Sequence, residues 1–408
     1  MLRIKKQNRD NAIHLETANV YEASQRWIAD YYMETEADMN HKLALCACVA
    51  LMYVGPASAQ EVSSSSVTLY GSIDEGVQYL SHAATGKTTG SAFQMGSGMA
   101  TSFFGMRGTE DLGAGVQTIW NLEGGYSPQN GTSSQGGRLF GRQAYVGLDG
   151  PYGRLTFGRQ YTMRFYAMSA INPFGDGAQG LTTLDNGVAN PRADNAVSYR
   201  VHLGALEGGV NYSFGRDGVA ATPVSVVGSN CPGGTTPYQE CKEWSALLKY
   251  TGNNWGAATA YERNNGGTSA TYGGLTAPNL TDSRYVLGGY FNVDGARFGV
   301  GWIRRINLGI ATPRSDLVWV TGTVPVGHNI SIDGMVANLR YDHSPNKALV
   351  EVLRGVYTLS KTTSLYVTAD HIHNSGNLAL AASTMLPVQA PPPGGSQLSV
   401  IAGIKHRF

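Results

Sequence analysis

From Val67 to the final Phe408 the chain repeats one device: short stretches in which apolar and polar side chains alternate, cut by Gly, Asn and Asp turns. Val67, Leu69, Gly71 and Ile73 fall on one face of such a stretch, and Thr68, Tyr70, Ser72 and Asp74 on the other. Trp244, Ala246, Leu248 and Tyr250 alternate with Glu243, Ser245, Leu247 and Lys249. Phe298, Val300 and Trp302 alternate with Arg297, Gly299, Gly301 and Ile303, and Leu398, Val400, Ala402, Ile404 and Phe408 share a face. A period of two is that of a strand with one apolar face. Sixteen such strands are expected, near 66–80, 101–111, 114–126, 138–149, 152–160, 193–203, 206–216, 243–252, 254–263, 282–293, 295–306, 314–324, 327–340, 347–360, 361–374 and 396–408.

The gaps alternate in length. Short turns such as Asp111-Leu112-Gly113-Ala114-Gly115, Gly252-Asn253-Asn254 and Asp294-Gly295 are followed by long connections at 81–100, 161–192, 216–242, 264–281 and 374–395. An even number of ten-residue strands, with short turns at one end and long loops at the other, is the pattern of a transmembrane β-barrel. Lipid tolerates no open sheet edge, so the sheet must close. Sixteen strands enclose an aqueous lumen rather than a packed core. The expected fold is therefore an all-β, 16-stranded antiparallel barrel. A soluble β-sandwich would alternate too, with its apolar face turned into a core, but would not alternate short turns with long loops. A β-helix would repeat at a fixed period, which the chain does not.

Composition agrees with this and excludes other classes. Charged residues make up 14% of the 408, against a globular norm near 25%. Glycine numbers 53 and tyrosine 22, and the net charge is only +1, which gives nucleic acid no basic surface to bind. No apolar run is long enough for a membrane helix.

The first 59 residues differ from the rest. Residues 1–38 are charged and mildly helix-prone. At Met39-Asn40-His41-Lys42 a short basic start leads into the apolar run Leu43–Val54, then Gly55-Pro56 and Ala57-Ser58-Ala59. That is the pattern of a secretory signal peptide over 39–59, with cleavage after Ala59. The 38 residues before it are read as an extension from a start codon placed too far upstream, or as a genuine long leader. Leu45-Cys46-Ala47-Cys48 faintly resembles a lipid-attachment box, but the apolar run before Cys48 is short for one. A mature chain from Gln60 would hold 24 Lys+Arg against 22 Asp+Glu. It keeps two cysteines, Cys231 and Cys241, ten apart in a Pro/Gly/Thr-rich stretch. In an exported protein that spacing is expected to give a local disulfide.

The motifs themselves resemble those of the general porins of the Gram-negative outer membrane, of the β-proteobacterial type. The resemblance is carried by Ser66-Val67-Thr68-Leu69-Tyr70-Gly71, Gly105-Met106-Arg107-Gly108-Thr109-Glu110-Asp111-Leu112-Gly113, the stretch from Gly137 to Leu148, Leu155-Thr156-Phe157-Gly158-Arg159-Gln160, Arg192-Ala193-Asp194-Asn195-Ala196-Val197-Ser198-Tyr199 and Gly403-Ile404-Lys405-His406-Arg407-Phe408. It implies a homotrimeric, cofactor-free diffusion channel for ions and small hydrophilic solutes, set in outer-membrane lipid. It also implies a third loop folded into the lumen as a constriction. Residues 161–192 are the long connection in that place, and a loop of that length in a compact protein is usually functional.

A constriction selects by its diameter and by the charge of its lining. The family sets wall arginines against loop acids. The matching positions are Arg107, Arg142, Arg159 and Arg192 on the wall and Asp176 and Asp185 on the loop. Alternation turns Arg107 and Arg192 inward. It puts Arg142 with Ala144, Val146 and Leu148 on the apolar face, so Arg142 needs a bulge or a strand end to face the lumen, and Arg159 has the same difficulty. Phe103 stands where the family often has a basic residue, so an aromatic ring replaces a lumen charge. Trp120, Trp244, Trp302, Tyr250 and Tyr357 are candidates for aromatic girdles at the membrane interfaces. Terminal Phe408 resembles the signal read by the outer-membrane barrel assembly machinery.

No catalytic motif is present. There is no G-x-S-x-G, H-E-x-x-H, P-loop or dinucleotide fingerprint, and His371 and His373 have no third ligand nearby, so no metal site is expected. Two alternatives to an open diffusion channel remain. One is a substrate-specific channel with a saturable lumen site. The other is a non-conducting outer-membrane adhesin that works through its external loops.

Overall fold

The computed structural model describes residues 65–85, 88–216, 231, 237–268 and 274–408. The extension and the signal peptide expected over 1–59 lie outside them. The strands are β1 (Ser66–Thr85), β2 (Thr88–Gly96), β3 (Phe103–Gly113), β4 (Val116–Ser127), β5 (Thr132–Ser133), β6 (Gln143–Gly150), β7 (Gly153–Tyr161), β8 (Arg192–Leu203), β9 (Leu206–Ser213), β10 (Glu243–Thr251), β11 (Trp255–Asn265), β12 (Thr281–Val293), β13 (Ala296–Asn307), β14 (Arg314–Val326), β15 (Ile330–Tyr341), β16 (Lys347–Thr358), β17 (Thr363–Ser375) and β18 (Ser396–Arg407). Sixteen of them form the wall, each antiparallel to its neighbours. β2 and β5 are short additions on the side of the long loops. The sheet closes where β1 pairs with β18, from Ser72 opposite Arg407 to Leu80 opposite Ser399. Closure satisfies the backbone of the first and last strands, as an apolar solvent demands.

Alternation sorts the side chains as the sequence predicts. Val67, Leu69, Val146, Leu148, Leu248, Val300, Val320 and Val367 are exposed on the outside. Ser72, Asp74, Asn121, Ser198, Ser245 and Arg284 are buried on the inside. Aromatic rings edge the outer apolar band. Toward the long loops Tyr212 and Phe214 stand edge to face, and Trp244, Tyr261 and Tyr285 run in series with centroids 4.8 and 4.7 Å apart. Toward the short turns Tyr250 faces Trp255 at 4.5 Å, and Phe291 stacks on Phe298 at 5.3 Å. Such girdles suit the two membrane interfaces, where a ring is apolar on its face and polar at its rim.

The short turns follow from local chemistry. Asp294 and Gly295 both have positive φ (49° and 81°), the two-residue hairpin geometry that matches strand twist and favours Asp-Gly. Three segments depart from expectation. The first strand does not stop at Leu80; it runs to Thr85 and turns back as β2, so much of the connection expected over 81–100 is hairpin. The strand expected from 138 begins at Gln143, because 138–142 are taken up by turn and coil. The connection 161–192 contains helix α1 (Met163–Ile171) and two helical turns, α2 (Leu181–Leu184) and α3 (Asn186–Ala189).

Those helical pieces form an apolar core inside the barrel. Met163, Ala167, Met168, Ile171, Phe174, Leu181, Leu184 and Val188 of the loop pack on Leu247, Ala258, Val286, Ile303, Trp319, Met335, Val350 and Ile372 of the wall. The lumen face of β10–β17 is therefore apolar where the loop covers it. Roughly 1.5–3 kcal/mol per fully buried large side chain favours the folded-in loop over one in water.

Candidate functional site

The third loop crosses the lumen. Its start is pinned by Met163 N–H donating to Ser245 Oγ (3.0 Å), and the end of α1 by Trp319 Nε1 and Arg297 Nη2, which donate to the carbonyls of Ile171 (3.4 Å) and Ala170 (2.6 Å). At the turn beyond, Arg354 lies over the Phe174 ring at 4.4 Å and donates to Pro173 O at 3.2 Å. Asp176 reaches the other side of the lumen, 3.1 Å from Arg142 Nη1. The returning limb is held by Gly180 N–H donating to Asp370 Oδ2 (2.9 Å) and by Ala178, which bonds Gly98 O and the N–H of Thr384.

Arg142 faces the lumen, against strict alternation. It sits just before β6, so the pleat does not bind it. Its Nε donates to Glu123 Oε1 at 2.6 Å, its Nη2 to the Tyr161 hydroxyl at 3.0 Å, and its guanidinium lies 4.6 Å from the centroid of Phe103. Phe103 thus faces inward as expected and is covered by the arginine. Arg192 lies over the Tyr161 ring at 4.8 Å and donates Nη2 to the same hydroxyl at 3.1 Å. It is 6% exposed, its Nε has no hydrogen-bond partner, and it makes no ion pair among the described residues. Arg107 is inward and exposed, 5.0 Å above Tyr70, whose hydroxyl lies 2.8 Å from Glu123 Oε2 and 3.0 Å from Asn121 Oδ1.

Arg159 does not join the loop acids. The pairing of β7 with β8 is irregular between Gly158 and Gln160, and Gly158 has φ 125°. Arg159 donates Nε to Gly141 O and pairs through Nη1 with Asp194 at 2.7 Å, and Arg138 pairs with the same carboxylate at 2.8 Å. Its charge is spent inside the wall.

Asp185 does not face the predicted arginines either. It meets Arg284 Nε at 2.9 Å, and it also caps α3 by accepting from Gly187 and Val188 N–H. Arg284 and Arg305 in turn share Asp282 at 3.1 and 2.8 Å, and Arg164 of α1 pairs with Glu262 at 3.0 Å. Burial works to raise the Asp185 carboxyl, but Arg284, Arg305 and Arg164 outweigh it and hold it well below the ordinary carboxylate value. Burial likewise opposes, and Arg142 and Arg192 overcome, the ionisation cost of Asp176, which also lies low. Arg164, Arg284, Arg305 and Arg354, with the acids Glu262, Asp282 and Asp333, are absent from the sequence prediction. The signal was available: Arg284 and Arg305 have the inward parity of their strands, alongside Val286 and Ile303.

Cys231 and Cys241 are joined by a disulfide, with Cα atoms 5.0 Å apart. His371 faces outward, 3.7 Å from Glu351, and no cluster of three metal-ligating side chains occurs among the described residues.

Residues 44–377 match the family model of the Gram-negative porins. The chain belongs to that family. An outer membrane porin protein of Bordetella pertussis is 28% identical over 411 residues, which span 90% of this chain and all of the relative. Outer membrane porin protein 32 of Delftia acidovorans is 34% identical over 198 residues, 45% of this chain and 53% of the relative. Among solved structures, an anion-selective porin from Comamonas acidovorans superposes with a TM-score of 0.67 at 23% identity, over 85% of this chain and all of that one. OmpT of Vibrio cholerae, folded in vitro and in a trimer form, gives 0.59 at 14% identity over 85% of this chain and all of that one. The porin is thus a 16-stranded outer-membrane barrel, and its family and fold are those of a diffusion channel rather than an enzyme.

Proposed function

We propose that this porin passes small hydrophilic solutes with a preference for anions, and that the choice is made between the third-loop tip at Asp176 and the wall around Arg142, Arg192 and Phe103. The observation that carries the preference is the charge left over after pairing. Arg142 is offset by Glu123 and Asp176, and Arg159 and Arg138 by Asp194. Arg107, Arg192 and the inward Lys405 make no ion pair among the described residues; against them stand the inward carboxylates Asp74 and Asp370, which N–H and O–H donors hold without an ion pair. Excess fixed charge in a narrow lumen raises the local concentration of counter-ions. Phe103 moderates this, since a ring stands where another cation would add to the field. Arg159 and Asp185 serve the wall and the loop anchor instead of meeting the passing ion.

The assembled channel is read as a homotrimer, supported by the trimer form of the Vibrio cholerae structure and by the broad apolar outer face. Cleavage after Ala59, recognition of Phe408 by the barrel assembly machinery and the lack of catalytic activity belong to the same reading. The test is the reversal potential in a potassium chloride gradient, for the wild type and for Arg192→Gln. One charge within about 5 Å of the passing ion in water-like dielectric favours an anion and disfavours a cation by ~0.8 kcal/mol each, so the anion-to-cation ratio should fall by roughly an order of magnitude. A wild-type potential of cation-selective sign would refute the assignment.

A further inference from the structure

The lumen side of β1, β3 and β6–β8 carries an arrangement that a charge tally leaves unexplained. Four guanidinium groups each lie over an aromatic ring: Arg107 over Tyr70 (5.0 Å), Arg142 over Phe103 (4.6 Å), Arg192 over Tyr161 (4.8 Å) and Arg200 over Tyr166 (3.9 Å). Two of these rings, Tyr161 and Tyr166, meet Phe165 at the start of α1. Phe165 stacks on Tyr161 with centroids 3.7 Å apart and planes 9° from parallel, and Tyr166 meets Phe165 edge to face at 5.6 Å. A guanidinium whose flat face is held by a ring keeps its N–H edge for an in-plane acceptor. At Arg142 that edge is filled by Glu123, Asp176 and Tyr161. At Arg192 one bond to Tyr161 is made, Nε has none, and the group is more than nine-tenths buried with no carboxylate in ion-pair contact, Asp176 acting on it only from farther off. A buried cation of that kind calls for an anion.

We infer that this wall is a saturable site for planar aromatic carboxylates, the carboxylate taken by Arg192 and the ring laid against the Phe165–Tyr161 stack. The site deepens the anion-channel reading and rests on it. Simple electrostatics ranks anions by charge and size alone. A stacked site adds a preference for a flat π-face over an aliphatic ring of the same charge and similar bulk.

The experiment uses benzoate and cyclohexanecarboxylate as probes, each titrated against the chloride current of the full porin in a planar bilayer. Benzoate should depress the current saturably, at a half-effect concentration about threefold to tenfold below that of cyclohexanecarboxylate. Phe165→Leu should bring the ratio of the two half-effect concentrations close to one, and Arg192→Gln should weaken both anions. Equal concentrations for the two probes in the wild type, or a benzoate preference that survives Phe165→Leu, overturns the aromatic site and leaves the channel standing. A folded barrel that carries no chloride current overturns the channel and this site together.

Discussion

Asp185 and Arg284 show how single residues hold the loop that the channel depends on. Both are buried, and they bring together α3 and β12, 99 positions apart in the chain. Removing one partner of such a pair leaves an uncompensated charge, so Asp185→Asn should cost up to about 3 kcal/mol, tempered by the Asp282 that Arg284 retains. The expected result is a noisier open-channel current, since the returning limb of the loop loses its anchor. The pH dependence has a definite sign. A carboxyl whose value is depressed in the folded state contributes its full stabilisation above the ordinary carboxylate value, near 4, and loses it as pH falls through the folded value. Open-channel noise recorded from pH 7 downward should therefore stay flat to about pH 4 and rise only below it. A rise centred at pH 5–6 would assign the anchor to other groups. Arg142 and Arg159 mark the limit of sequence reading at this scale. Period-two parity places a side chain only while the pleat is regular, and one of these residues precedes its strand while the other lies at a register shift.

At the scale of elements, the wall was legible and the loop only partly so. Fifteen of the sixteen wall strands begin within a few residues of where alternation puts them, because one face must meet lipid and the other water along the whole barrel. The exception is β6, where a coil replaces the first five expected residues. The β1–β2 hairpin and helix α1 were not read, since neither spans the membrane and neither carries the two-faced pattern that lipid imposes. Helix α1 lies inside the barrel on an apolar wall, so its own pattern needs no charged face. Two predictions belong here. Ile171→Ala opens a cavity between α1 and the wall and should destabilise the docked loop by about 2–4 kcal/mol, read as a larger and noisier unit conductance. Gly158→Val should lower the yield of folded, heat-modifiable barrel. The residue holds φ 125°, and a Cβ there would lie 2.2 Å from Ala144 O, so both the backbone and the space resist a side chain.

The described part of the molecule is a closed barrel whose lumen is divided by one loop. The loop covers one part, an apolar core with buried ion pairs at its margin, and an arginine- and ring-lined part remains. The sequence showed the barrel and the family motifs, but it did not show that most lumen arginines are neutralised by acids. Several of those pairs join the third loop to the wall, such as Asp176 with Arg142 and Arg164 with Glu262, and only the folding of that loop into the lumen brings them together. The Cys231–Cys241 disulfide packs in a separate small cluster with Leu275, so its reduction should leave unit conductance unchanged. The most direct test of the central claim is single-channel recording of residues 60–408 in a planar bilayer under a salt gradient. Large openings that come in groups of three, with a reversal potential of anion-selective sign, are the predicted result. Correctly folded, heat-modifiable protein that does not conduct would contradict it.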